Sequence, residues 1–259
     1  MIQIRKIMNK ILVITATLGN RSSIARTIDS VRNVNRGNIK HVVIAPAKKI
    51  AEIGTQYNIE CLPEPEGRRG IYAALNHGFY TYAKDYDYIT FINDDDYWLP
   101  SFNKMIEVLD KDPSIDFIYS KTLYVNESNQ VFRKQSCSNQ FYSFLDLFHR
   151  GIILFTQQTT LLRSEFFFKI GGFDESYKLV ADTKFWIQLS LLKPKYKYLN
   201  TFTTCYMIQN GQLSSDKTVQ NREHRRLEEE YPSKGNIRKR MIEFKYRLIN
   251  IGNYIRRLF

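Results

Sequence analysis

Tyr88-Ile-Thr-Phe-Ile92 runs directly into Asn93-Asp-Asp-Asp96, and Tyr97 and Trp98 follow at once. The first five residues are β-branched or aromatic, the composition of a buried strand. In open α/β sheets, ligands bind beyond the carboxyl ends of strands, which is where Asp94, Asp95 and Asp96 fall. Three like charges at one strand end repel one another, and a bound dication relieves that repulsion. Mg²⁺ and Mn²⁺ favour one or two carboxylates completed by phosphate oxygens. The stretch therefore reads as a strand that delivers carboxylates to a metal and a diphosphate, with the metal as Lewis acid on the leaving group and the two aromatics walling a pocket. The competing reading is a solvated acidic turn, one Asp of which caps a helix near Pro100.

Upstream, Ile11-Leu-Val-Ile-Thr15 is the apolar, β-branched run that a doubly covered parallel strand needs. Asn20-Arg-Ser-Ser23 offers cap chemistry, and Ile24, Ile28 and Val31 then recur at helical spacing. His41-Val-Val-Ile-Ala45 and Ile59-Glu-Cys-Leu62 are two further strand candidates, with a short helix opening at Pro46 and the Lys48-Lys49 pair. A turn-rich stretch, Pro63 to Gly70, leads into a helix over Ile71 to Tyr82. Alternating strands and helices imply an α/β fold, with a mostly parallel central sheet flanked by helices. Downstream, Phe117 to Val125 and Val131 to Lys134 read as a hairpin about Asn126-Glu-Ser-Asn129. Phe141 to His149 reads as a short aromatic helix, Gln157 to Leu162 as a strand, Ser164 to Ile170 and Ala181 to Leu192 as helices, and Tyr196 to Met207 as extended.

Composition narrows the function classes. The 259-residue chain carries 38 Lys plus Arg against 26 Asp plus Glu, a net charge of +12 that suits an acidic partner: nucleic acid, an anionic membrane surface or a phosphorylated substrate. The three cysteines, Cys61, Cys137 and Cys205, are scattered, which fits a reducing cytoplasm better than a disulfide framework. No run of apolar residues is long enough to span a membrane. No Gly-x-Gly-x-x-Gly follows the first strand, which disfavours a dinucleotide oxidoreductase. Ala16-Thr-Leu-Gly-Asn20 lacks the Gly-rich basic loop of a nucleotidyltransferase.

Residues 216–259 differ in character. Ile237, Met241, Phe244, Leu248 and Ile255 recur at helical spacing among Arg238, Lys239, Arg240, Lys245, Arg247, Arg256 and Arg257. That is a basic amphipathic helix. It fits an anionic membrane surface through residues 237–259; packing on the catalytic domain, or on a second subunit in a homodimer, is the alternative. A nucleic acid is not expected as partner, because much of the basic excess lies in this tail rather than on a face interleaved with aromatics.

Several motifs, in order, resemble the family 2 glycosyltransferases of GT-A fold. Val13-Ile-Thr-Ala-Thr17 with Asn20-Arg21 is similar to the family's first strand and nucleotide loop, and Gly70-Ile-Tyr-Ala-Ala-Leu-Asn76-His-Gly78 to its Gly-Ile-Tyr-Asp-Ala-Met-Asn-x-Gly segment. Ile92-Asn-Asp-Asp-Asp96 resembles its DxD strand end. Gly171-Gly-Phe-Asp-Glu175 followed by Ala181-Asp182 resembles its catalytic approach, and Asn210-Gly-Gln-Leu-Ser214 its late loop. The resemblance implies a GT-A catalytic domain over 1–215, with a nucleotide-binding half to about residue 100 and an acceptor-binding half to 215, followed by the helical tail.

The resemblance also implies roles. Thr15, Thr17, Arg21, Arg69, Asn76, Asp94 and Asp95 would bind the nucleotide-sugar, and Asp95 with Asp96 would hold Mg²⁺ or Mn²⁺, with the frame of the DxD among Asp94, Asp95 and Asp96 left open by three adjacent Asp. Asp182 would be the general base of an inverting transfer. Gln158, Asp174 and Ser214 would face the acceptor. The implied activity moves one sugar from a nucleotide-diphosphate donor, UDP-sugar favoured, to a hydroxyl of a lipid-linked or growing surface glycan. It would work in the cytoplasm, on the inner face of the plasma membrane if the tail docks there. The chain departs from the pattern at Ala45, Ala73 and Ala181, where the family is often acidic, and at Gln157-Gln158, where it often has His-Gln. The Gln-x-x-Arg-Trp signature of processive polymerases is absent. The alternatives are a degenerate, non-catalytic family member and a basic nucleic-acid- or membrane-binding protein.

Overall fold

The computed structural model describes residues 8–34, 38–209, 212, 216–233 and 235–255. Strand β1 (Ile11–Ala16) is an interior strand of the sheet, apolar and covered on both faces. Its odd and even residues part to opposite sides, as the period of two requires. Leu12 and Ile14 join a cluster with Leu75 and Phe79 of α3 (Ile71–Tyr82). Ile11 and Val13 pack with Val31 and Val34 of α1 (Ile24–Val34) and with Met105 and Ile106 of α4 (Asn103–Lys111). Helix α3 comes so close that a Cβ on Gly78 would lie 3.1 Å from the ends of the Ile14 and Ile44 side chains, which would have to give by a few tenths of an ångström.

β2 (Ile39–Ala45) pairs parallel with β1, and β3 (Glu60–Pro63) pairs parallel with β2, with α2 (Ile50–Tyr57) between them. β4 (Tyr88–Phe91) pairs parallel with β1 on its other side. The chain thus winds outward from β1 in one direction and resumes beside it in the other. Such a switch point opens a crevice at the strands' carboxyl ends.

The remaining strands extend the sheet. They are β5 (Tyr97–Trp98), β6 (Phe117–Val125), β7 (Val131–Lys134), β8 (Thr160–Arg163) and β9 (Tyr196–Met207). The order is β3-β2-β1-β4-β8-β6-β9-β5, with β7 on β6. β8 is antiparallel to β4 and β6, while β9 is parallel to β6, so β1, β2, β3, β4, β6 and β9 share one direction. The sheet is therefore mostly parallel and flanked by helices, as the sequence implies. The strand expected from Gln157 begins only at Thr160, because local side-chain bonds favour a 3-10 turn over Gln157–Thr159. The Thr159 hydroxyl donates to the Thr156 carbonyl and the Thr160 hydroxyl to that of Gln157, each at 2.6 Å.

Helices α5 (Phe144–Phe148), α6 (Ser164–Ile170) and α7 (Ala181–Leu192) pack an aromatic-rich layer on the larger cluster. α8 (Lys217–Glu230), α9 (Asn236–Ile249) and α10 (Ile251–Ile255) follow. Leu227 and Tyr246 are buried in the same cluster, so α8 and α9 lie against the sheet-bearing body. No described helix is long and apolar enough to cross a membrane.

Candidate active site

The pairing of Ile14 with Phe91 places the residues after β1 beside those after β4, and the Ile92 N–H still donates to the Ile14 carbonyl at 3.0 Å. The Thr17 hydroxyl therefore reaches Asp94, donating at 2.6 Å. One Arg21 nitrogen donates to Asp94 at 3.1 Å and to Asp95 at 2.6 Å. Asp95 also accepts from the side-chain amides of Gln209, at 3.1 Å, and Gln212, at 3.0 Å. Burial raises the pKa of Asp94, and the Thr17 hydroxyl and the Arg21 cation oppose that rise.

Thr17, Arg21, Asp94 and Asp95 open onto a cleft of about 1090 Å³. Asp182 lies on the same cleft, in the first turn of α7. It accepts from the Thr183 N–H at 2.7 Å and from the Tyr72 hydroxyl at 3.2 Å. Burial pushes its pKa up to about 6, against the lowering effect of those donors. The site thus holds Asp94 and Asp95, both bonded to Arg21, and on the same cleft a carboxylate, Asp182, whose pKa burial lifts to about 6. Such a titration range suits a general base.

Other sequence-predicted residues lie elsewhere. Asp96 is fully buried and is not in the cleft lining; it accepts from the Met207 N–H at 3.0 Å and the Asn93 amide at 3.2 Å, and burial lifts its pKa well above the usual carboxylate range. Asn76 clamps the loop after α6: its amide accepts from the Phe173 N–H and donates to the Phe173 carbonyl and to Glu175, each at 2.8 Å. Asp174 pairs with Lys184 at 2.7 Å, outside the cleft lining. Thr15 bonds His41 at 2.9 Å beneath the strand end. Arg69 is exposed beside the cleft-lining Gly70, and Gln158 is fully buried with Gln157, not itself, on the cleft. Ser214 lies outside the described residues.

Two residues escaped the sequence reading. Glu64 lines the cleft, and its N–H donates to the Ala45 carbonyl at 2.9 Å. It sets a carboxylate beside the strand end where Ala45 supplies none; its place two residues past the β3 run Ile59 to Leu62 was the available signal. Glu223, on α8, is buried and accepts the N–H groups of Lys178, Leu179 and Val180 at 2.8, 2.9 and 3.3 Å. Nothing in its sequence neighbourhood distinguishes it from the charged residues around it.

A sheet switch point with Asp94, Asp95 and Asp182 on one cleft at the strands' carboxyl ends places the chain among the open, mostly parallel α/β folds. The chain belongs to glycosyl transferase family 2, whose family profile matches residues 12–173. Solved structures that share the fold include the following two. S. aureus TarS 1-349 in complex with UDP-GlcNAc superposes with a TM-score of 0.61 at 16% identity, over 80% of this chain and 61% of that one. Mannosyltransferase PcManGT from Pyrobaculum calidifontis, in complex with GDP-Man and Mn2+, gives 0.61 at 13% identity, over 93% of this chain and 70% of that one. This chain covers less than two thirds of the TarS chains, and 37% of the longest. None of the curated proteins matches it.

Proposed function

We propose that the protein is an inverting glycosyltransferase that moves one sugar from a nucleotide-diphosphate donor to a hydroxyl acceptor. Family membership supports the transfer class. The observation that carries the reading is the meeting of Asp94, Asp95 and Arg21 with Asp182 on one cleft. TarS with UDP-GlcNAc and PcManGT with GDP-Man favour a nucleotide-sugar donor, and a UDP-sugar is the first candidate. The cytoplasm is the proposed compartment, and a lipid-linked or growing surface glycan the proposed acceptor.

The donor set fits a divalent ion of the Mg²⁺ or Mn²⁺ type. Two adjacent carboxylates face the cleft, and such ions take one or two carboxylates together with substrate phosphates. Asp95 would hold the ion, with Asp94 beside it; when bound, the ion neutralises the charge developing on the departing diphosphate.

The remaining roles belong to the chain. Arg21, poised over both carboxylates, orients Asp94 and Asp95 and supplies a guanidinium to the diphosphate. Glu64, at the end of β3, accepts hydrogen bonds from the ribose hydroxyls or the base. Asp182 takes the proton of the acceptor hydroxyl as that oxygen attacks the anomeric carbon, and the Tyr72 hydroxyl and Thr183 N–H hold its carboxylate in place. Attack from the side opposite the leaving diphosphate inverts the anomeric centre.

The test is thermal unfolding with a panel of nucleoside diphosphates, each with and without Mn²⁺. A ligand that binds only the folded state adds about 2.7 kcal/mol at a hundred times its dissociation constant. One diphosphate should stabilise the protein in a metal-dependent way, and Asp95→Ala should abolish the effect. Indifference to every diphosphate would sink the donor-site assignment.

A further inference from the structure

Helix α9 has two faces of opposite use. Tyr246 points inward: it is 3% exposed, its hydroxyl donates to the Ser136 carbonyl at 2.8 Å, and its ring helps line the cleft. Ile242 also packs on the core, and its carbonyl accepts from Gln140. At about 100° per residue, Ile237, Met241, Phe244 and Leu248 fall in one stripe opposite Tyr246. They are 78%, 68%, 68% and 57% exposed, and Ile251 of α10 continues the line at 53%.

An apolar stripe this open has no partner among the described residues, and its flanks say what covers it. Arg240 and Arg247 border it on one side, and Arg238 and Lys245 on the other. Arg247 pairs with Glu243, and Arg238 reaches Asp146 while its side chain stays 70% exposed. Arg240 and Lys245 are exposed and have no carboxylate partner among the described residues. Apolar centre and basic borders are the pattern of a helix lying in the plane of a lipid interface, its long cationic side chains reaching outward to headgroups. A second copy docked stripe to stripe would bring two basic borders together, and nucleic acid would need cations where Phe244 and Leu248 stand.

We propose that α9 is an interfacial anchor that seats the protein on an anionic lipid bilayer through Ile237, Met241, Phe244 and Leu248, with Arg238, Arg240, Lys245 and Arg247 contacting the headgroups. Because Tyr246 lies on the opposite face and lines the cleft, this seating holds the cleft about one helix diameter, roughly 10 Å, above the lipid surface. The inference stands on the helix alone and does not require the sugar-transfer reading.

The test is co-flotation of the full chain with vesicles of phosphatidylcholine alone and of phosphatidylcholine with phosphatidylglycerol. The protein should float only with the anionic vesicles, and less as salt rises. Phe244→Ser/Leu248→Ser should lose flotation with an unchanged circular dichroism spectrum and melting temperature. Arg240→Gln/Lys245→Gln should lower the partition coefficient about 25-fold, fivefold per charge, from roughly 1 kcal/mol for each basic residue near such a surface. Absence of flotation with anionic vesicles, or undiminished flotation of Phe244→Ser/Leu248→Ser, overturns the proposal. So does a solution dimer that the same pair of substitutions dissolves. Nucleoside-diphosphate binding, measured on the same variants, reports separately on the cleft.

Discussion

At the scale of single residues, Asp182 faces opposed demands. Its carboxylate is held by Tyr72 and Thr183, yet burial outweighs those donors and its pKa settles at about 6. A base with that pKa is mostly ionised at pH 7 and still accepts a proton more readily than a solvent-exposed Asp, whose pKa lies near ~4. The rate should therefore climb as pH rises through 6 and level off above it. Asp182→Asn should cut kcat by about 10²- to 10⁴-fold, and any residual rate should lack that limb; a rate and pH profile like the wild type's would remove Asp182 from the base role. Stability should move the other way. A carboxyl whose folded pKa lies above its unfolded one binds its proton more tightly when folded, so the protein loses stability as pH rises from below 4 to above 6. The ionisation of Asp182 costs up to about 3 kcal/mol on that reasoning. Asp182→Asn should then melt several degrees higher than wild type at pH 8, with the difference closing toward pH 4. Glu64 offers a second check. If it accepts from the nucleoside, Glu64→Gln should weaken nucleoside-diphosphate binding roughly tenfold, the scale of one hydrogen bond to a charged group. Calorimetric titration giving an unaltered Kd would assign Glu64 to the rim alone.

At the scale of elements, the approach to α7 is built from clamps rather than from α7 itself. Asn76 of α3 seizes both backbone groups of Phe173, and Glu223 of α8 collects three consecutive N–H groups just before α7 begins. Gly172, at φ +79°, fits only because it has no Cβ; one there would lie 2.8 Å from Asn76 Oδ1. Removing a clamp leaves buried donors unpaired, at about 1–3 kcal/mol for each group so stranded. Glu223→Ala should therefore lower the melting temperature and also reduce kcat, by freeing the segment that positions Asp182. A loss of stability with kcat intact would confine Glu223 to a structural part. These clamps also mark the limit of sequence reading. β1 and β4 were legible because each is an unbroken, mainly β-branched or aromatic run that ends at a turn, and the carboxylates after β4 followed from the strand. The Gly-Gly-Phe-Asp-Glu segment was legible as a stretch, but not what Asn76 does to it, because a side chain's partner 97 residues away leaves no local trace. Asp94, Asp95 and Asp96 look equivalent in sequence. A turn that sends two toward the cleft and the third under Met207 separates them, and that direction depends on β9, which arrives more than a hundred residues later.

At the scale of the molecule, the chain beyond residue 215 is read by its two helix faces. In sequence the outward stripe dominates, since Ile237, Met241, Phe244 and Leu248 recur so regularly; the inward contacts rest on fewer residues with no evident period. Those contacts are nonetheless deep. Leu227 and Tyr246 are buried in the main cluster, the Asn250 amide oxygen accepts from the Cys137 N–H at 3.1 Å, and Glu230 receives Tyr177 and Lys184, each at 2.6 Å. Burying a large apolar side chain is worth about 1.5–3 kcal/mol, so Leu227 and Tyr246 together with the Glu223 clamp hold roughly 5 kcal/mol or more. Domains of this kind have only about 5–15 kcal/mol to spare. The full chain should accordingly unfold in one cooperative transition, tail and sheet together. A chain ending at Ser215 should be insoluble or should melt at least ten degrees lower, whereas Phe244→Ser/Leu248→Ser, which alters only the outer face, should melt with wild type. Scanning calorimetry on the three proteins separates the cases. If the shortened chain folded with an unchanged melting temperature, α8 to α10 would be an appendage to an independent catalytic body, and the inward face would carry no share of the stability assigned to it here.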